Sequence, residues 1–209
     1  MRRHRPATAA AALGTLLLVA GCSDSGVPSD EQAVEEGTTT PAEGPAGTDP
    51  DATGTFLDPS GERLGTVELR ETDAGTELVV QLSGLEPGFR GLHVHGIGEC
   101  EPDSTDPADP ENTGDFMSAG PHLNPDDTDH GEHAGDLSPL LVLEDGEAAL
   151  TQVTDRFTVE DLLDEDGAAV MVHSEADNFA HIPERYGEPD EGTLGTGDAG
   201  ERLACAVVE

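Results

Sequence analysis

Between residues 52 and 208 the chain alternates short apolar runs with Gly, Pro and Asp. Val67 and Leu69, then Leu78, Val80 and Leu82, recur at every second position, the period that puts side chains on one face of a strand. The same texture predicts eight strands: Ala52–Leu57, Arg63–Arg70, Thr76–Leu82, Arg90–His95, Pro139–Leu143, Ala148–Thr154, Ala168–His173 and Leu203–Val208. Short strands separated by turn residues point to an all-β sandwich or barrel. Thr158, ahead of Val159-Glu160-Asp161-Leu162-Leu163, is placed to cap one helical turn. Gly96–Ser138 and Ser174–Arg202 lack the alternation, and loops of that length inside one domain are usually functional. No internal repeat is visible.

The first residues follow a different pattern. Arg2, Arg3 and Arg5 precede an apolar run, Ala9–Ala20, too short to span a bilayer permanently. Residues 1–21 therefore read as an export signal. Leu18-Val19-Ala20-Gly21-Cys22 resembles the lipobox of bacterial lipoproteins, which implies lipid on Cys22; an ordinary cleaved signal is the alternative. Residues 22–50 are mostly Ser, Thr, Gly, Pro and acids and bury too little apolar surface to offset chain entropy, so a disordered tether is expected. The folded domain then occupies residues 51–209. Cys100 and Cys205 remain, either bridged in an oxidising compartment or free.

The formal net charge is −36, with no lysine. Such a surface repels nucleic acid and anionic lipid. Contact with a membrane is then left to lipid on Cys22. No loop has the EF-hand spacing, so the acidic runs Asp126-Asp127 and Asp164-Glu165-Asp166 read as solvated turns.

The candidate chemistry lies in the histidines. In Gly91-Leu92-His93-Val94-His95, Leu92 and Val94 suit a buried face and the strand period sets both imidazoles on the other. Neutral imidazole is a ligand for copper and zinc. His122, His130, His133 and Asp136 offer three nitrogens and one oxygen, a set suited to tetrahedral zinc. His173 ends another predicted strand, and with His93, His95 and one loop histidine it makes the four-nitrogen set that copper(II) prefers. An imidazole has two nitrogens, so one histidine can serve two metals. His181 reads as a solvated loop residue, and Phe179 and Tyr186 as residues that pack the loop.

The runs Gly-Leu-His-Val-His, Ser-Ala-Gly-Pro-His-Leu-Asn-Pro, His-Ala-Gly-Asp-Leu, Val-His-Ser-Glu-Ala-Asp and Gly-Asp-Ala-Gly-Glu-Arg-Leu-Ala-Cys resemble those of copper–zinc superoxide dismutases. The resemblance covers most of residues 52–209, in the family's order. It implies an eight-stranded antiparallel Greek-key barrel, an immunoglobulin-like sandwich with two long functional loops. It also implies an oxidoreductase outside the cytoplasm, turning superoxide into dioxygen and hydrogen peroxide. One redox-cycling copper and one structural zinc per subunit would be its cofactors. By matching position, copper falls to His93, His95, His122 and His173, and zinc to His122, His130, His133 and Asp136. Asp177 matches the carboxylate that links the two ligand sets, and Arg202 the guanidinium that receives the anion. His122 also matches the proton carrier, and Cys100 and Cys205 the disulfide of bacterial members. The implied assembly is a monomer or homodimer whose partner is its small substrate.

Two departures from the family matter. Only two residues separate His130 from His133, where many members have more. Arg185 and Arg202 stand among Glu184, Glu188, Asp190, Glu191, Asp198 and Glu201, so long-range repulsion of the anion is expected at low ionic strength. A copper carrier without dismutase activity is the competing function, although such relatives usually lose a copper ligand or the channel arginine. A hydrolytic zinc enzyme would need an open zinc position.

Overall fold

The computed structural model describes residues 49–209; the expected export signal, Cys22 and most of the expected tether lie outside the described residues. Among the described residues eleven strands form: β1 (Ala52–Leu57), β2 (Arg63–Thr72), β3 (Gly75–Leu82), β4 (Gly88–Arg90), β5 (Leu92–His95), β6 (Ser104–Thr105), β7 (Thr113–Gly114), β8 (Leu140–Val142), β9 (Ala148–Thr154), β10 (Ala169–His173) and β11 (Arg202–Val207). Two short helices join them, α1 (Val159–Leu162) and α2 (Glu191–Thr196). Thr158 caps α1 in a capping box with Asp161, which satisfies backbone donors at both residues.

Nine strands make one antiparallel sheet in the order β4-β8-β9-β3-β2-β1-β11-β10-β5, and β6 pairs with β7 alone. The eight strands expected from the alternation become nine here because the run Arg90–His95 divides at Gly91. There Gly91 leaves the ladder, and its N–H donates to Glu175 O at 2.7 Å. A Cβ at this position would lie 2.7 Å from that of Ala199, so only glycine lets the second long loop come this close. On either side the strand finds different partners, β4 pairing with β8 and β5 with β10. Strands adjacent in the chain thus sit at opposite ends of the hydrogen-bonded order, and the sheet curls into a nearly closed barrel.

Alternation fills the interior. Leu92, Val94, Val170, Val172, Ala204 and Ala206 join Phe56, Val67, Leu69, Leu78, Val80 and Leu140 in the main core. Burying each large apolar side chain contributes about 1.5–3 kcal/mol. The opposite face of β5 and β10 is buried too. Register sets Met171 beside His93 and Ala169 beside His95, and Met171 and Ala169 pack with Phe116, Ala119 and Cys205. The imidazoles of β5 and the end of β10 therefore share one face outside the barrel.

The first long loop covers that face. It adds itself to the free edge of β5 through bridges His95–His122 and His93–Asp136, with Leu123 N–H donating to Val94 O and Val94 N–H to Gly135 O, both at 2.8 Å. Cys100 and Cys205 are disulfide-bonded, Cα to Cα 5.7 Å, fastening the loop's start to β11. Among the described residues no helix is long and apolar enough to cross a membrane.

Candidate metal centre

Six imidazoles converge where the two long loops meet β5 and β10. His93, His95, His122, His130, His133 and His173 are all buried, as are Asp136 and Asp177. One ligand atom from each of His93, His95, His122 and His173 lies within 4.8 Å of the others, and the same holds for His93, His122, His130 and Asp136. His133 joins the second group through Nδ1, which is 3.3 Å from His122 Nδ1 and 3.3 Å from Asp136 Oδ1. His181 stays exposed in the second loop.

Hydrogen bonds fix the ring tautomers, because their partners can only accept. His95 Nδ1 donates to Gly120 O at 2.8 Å, His173 Nδ1 to Gly200 O at 3.2 Å, and His93 Nε2 to Asp177 Oδ2 at 2.9 Å. The opposite nitrogens, His95 Nε2, His173 Nε2 and His93 Nδ1, therefore carry free lone pairs. His95 Nε2 and His173 Nε2 are 3.5 Å apart, and His93 Nδ1 is buried with no hydrogen-bond partner. A buried polar atom without a partner costs free energy unless a ligand uses it.

The other set passes a geometric test for zinc. Nδ1 of His122, His130 and His133 lie 3.0, 3.2 and 3.3 Å from the one oxygen Asp136 Oδ1. A tetrahedron with metal bonds of about 2.0–2.1 Å has edges of about 3.3–3.4 Å. Three nitrogens crowded on one oxygen, two of them 3.3 Å apart, match those edges better than they match separate hydrogen bonds. His130 Nδ1 has no hydrogen-bond partner. Asp136 turns its other oxygen, Oδ2, to the N–H groups of Gly131 at 2.6 Å and His133 at 3.1 Å, which holds Oδ1 on the cluster.

Asp177 joins the sets: Oδ2 accepts from His93 and Oδ1 accepts from His130 Nε2 at 2.8 Å. Phe179 N–H also donates to Oδ1, at 2.7 Å. Gly197, at φ 59°, leaves room for this contact; a Cβ there would fall 2.1 Å from Asp177 Oδ1 and 2.2 Å from His130 Nε2.

Electrostatics separate the rings. Burial, then the neighbouring positive groups, hold His95 and His173 well below the usual imidazole range, and burial pushes His122 down to about 3. These three are neutral near pH 7, the form that binds metal. Burial opposes charge on His130 as well, but the carboxylates of Asp136 and Asp177 beside it prevail and raise it to about 9. Burial likewise works against the charge on Asp136 and Asp177, and their histidine partners still hold both well below the carboxylate range.

His95, His122 and His173 open on a cavity of about 750 Å³ shared with Arg202, Met117, Asp106, Asp115, Asp198 and Glu201. Arg202 is seated by Nη1 donating to Phe116 O at 2.6 Å and Nη2 to Gly120 O at 2.7 Å. Gly120 O thus accepts from both Arg202 and His95. The carbonyls of Phe116, Gly120 and Gly200 are site members that sequence reasoning missed, and no side-chain signal marks a carbonyl. Phe179 lies against the His130 ring, centroids 6.4 Å apart. Tyr186, expected to pack the loop, is 73% exposed under the Arg185 guanidinium, because its 3₁₀ turn buries no residue.

Residues 63–208 match the family model for copper/zinc superoxide dismutase. A superoxide dismutase [Cu-Zn] of Mycobacterium tuberculosis is 37% identical over 232 residues, covering 99% of this chain and 96% of its own. The enzyme of that name from Escherichia coli K12 is 35% identical over 156 residues, covering 71% and 80%. The structure of Cu/Zn superoxide dismutase from Brucella abortus, 31% identical, superposes with a TM-score of 0.58 over 76% of this chain and all of that one. With these matches and two histidine clusters suited to its two metals, the chain belongs to the copper/zinc superoxide dismutase family of oxidoreductases.

Proposed function

We propose that this chain dismutates superoxide outside the cytoplasm. Copper would be held by His93 Nδ1, His95 Nε2, His173 Nε2 and His122, and zinc by Nδ1 of His122, His130 and His133 with Asp136 Oδ1. One observation supports the reading above the rest: three neutral imidazoles of the copper set and a seated guanidinium face the same cavity. A copper carrier has no use for that guanidinium.

Bound copper supplies a one-electron couple, so that two superoxide ions and two protons become dioxygen and hydrogen peroxide. The residues do the rest. Arg202 holds the anion and offsets its charge, since its carbonyl contacts fix the guanidinium before substrate arrives. His122 Nδ1 faces the zinc set, leaving Nε2 to hold a proton and pass it to the departing peroxide. Asp177 keeps His93 and His130 oriented together, and such outer partners tune both affinity and geometry. Zinc has no redox couple and would fix the His122 ring.

The Cys100–Cys205 bridge fits an oxidising compartment. Residues 1–21 would direct export, Cys22 would carry lipid, and residues 22–50 would tether the domain. The test is superoxide decay measured by pulse radiolysis before and after copper loading. His173→Ala should abolish turnover, and Arg202→Ala should lower it while copper stays bound. One equivalent of copper with decay no faster than in buffer would refute the enzyme reading.

A further inference from the structure

We propose that Arg156 is a positioning residue for zinc, bracing from outside the short hairpin that carries two of its ligands. The inference rests on the zinc assignment proposed above. His130 and His133 are separated by two residues only, so the chain must turn sharply between two side chains aimed at one point. Gly131 adopts φ 92° to do so. Inside the turn, the N–H groups of Gly131 and His133 donate to Asp136 Oδ2. Outside it, the guanidinium of Arg156 takes the carbonyls: Nη1 donates to His133 O at 2.9 Å and Gly131 O at 3.3 Å, and Nη2 to Gly131 O at 3.3 Å. The turn is gripped from both sides.

The grip comes from the rigid part of the fold. Arg156 lies two residues past the end of β9, its N–H donating to Thr154 Oγ1 at 3.3 Å. The next residue, Phe157, is 5% exposed in the core, and its carbonyl accepts from Thr76 Oγ1 at 2.9 Å. A planar fork sets two carbonyls in one fixed geometry, whereas a lysine ammonium offers only rotatable donors on a flexible stem. Surface contacts of this kind add little to global stability. Their effect should instead show in the spacing of the two Nδ1 atoms, because a site on a loop is only as exact as its support.

The experiment compares wild type with R156M and R156K in the full chain. Zinc affinity is measured by competition with a chromophoric chelator, and cobalt(II) is put in place of zinc to read coordination from its visible bands. The expected result is a zinc affinity lower by roughly tenfold in R156M, the lower end of what outer partners of metal ligands contribute. The cobalt bands should shift and weaken, and R156K should recover only a minor part of the loss. Copper affinity and the melting temperature of the metal-free protein should match wild type. Unchanged zinc affinity and cobalt bands in R156M would overturn the brace, as would full recovery in R156K, which would mean charge alone. A fall in affinity that tracks a lower melting temperature of the metal-free variant would overturn it too. Wild type taking up no zinc would overturn the zinc assignment, and the brace with it.

Discussion

Replacing both Cys100 and Cys205 by alanine removes a cross-link between residues 105 apart in sequence. The bond constrains the unfolded chain, and the loop-closure relation values a loop of that size at about 4.7 kcal/mol. Melting temperature falls by about 2–4 °C per kcal/mol in a domain of this size, so a drop of roughly 10–20 °C is expected. The assay is scanning calorimetry of metal-free wild type and the double variant at equal concentration, since bound metal would add its own stabilisation. A second consequence is local. The bridge fastens the loop containing Phe116 and Gly120 to the strand that begins with Arg202, and those two carbonyls seat the guanidinium. The copper-loaded variant should therefore lose turnover at temperatures where it is still folded. A fall in melting temperature below about 5 °C would refute the constraint on the unfolded chain as the bond's main contribution.

Three further outcomes follow from the site. Gly197→Ala places a Cβ at φ 59° against Asp177 Oδ1 and His130 Nε2; left-handed backbone plus a lost charged hydrogen bond should cost roughly 2.5–5 kcal/mol in urea unfolding, and a cost below about 1 kcal/mol would contradict the contact. The metal-free protein should lose stability as pH falls below about 6.5, by up to about 1.4 kcal/mol per pH unit for each of His95, His122 and His173, which take up protons readily only when unfolded. His130 acts in the opposite sense: its stabilisation is complete below about 6.5 and is lost as pH climbs through about 9. Urea titrations across pH check both arms. Turnover should rise or hold level with added salt, because Arg202 shares its cavity with Asp106, Asp115, Asp198 and Glu201. Asp106→Asn should raise the low-salt rate by roughly twofold, the effect of one charge across about 10 Å of water; a steep fall on adding salt would contradict net repulsion.

The strands were legible because period-two alternation is written in residue type, and β1 and β9 lie at the predicted bounds. The break at Gly91 was not, since it depends on how close Ala199 comes from a hundred residues downstream. The helix α2 escaped notice because Glu-Gly-Thr-Leu-Gly-Thr has poor helix propensity. The Asp190 cap and the bond from His130 N–H to Leu194 O hold it in place. Strands β6 and β7 have two residues each, too few to show a period. In the centre, ligand types could be read directly, because histidine and aspartate declare their chemistry. The acceptors that orient them could not, since every residue carries the carbonyl that Gly120 and Gly200 use. Arg156 gave no signal either; its contacts lie 23 and 25 residues away in the chain.

Everything proposed for the reaction depends on His122 serving two metals at once. Anomalous diffraction at the copper and zinc edges, from crystals of protein loaded with both, measures this directly. The expected result is one copper among His93, His95, His122 and His173, and one zinc among His122, His130, His133 and Asp136, with the His122 ring between the two. A copper peak away from His122, or no zinc peak at saturating zinc, would contradict it.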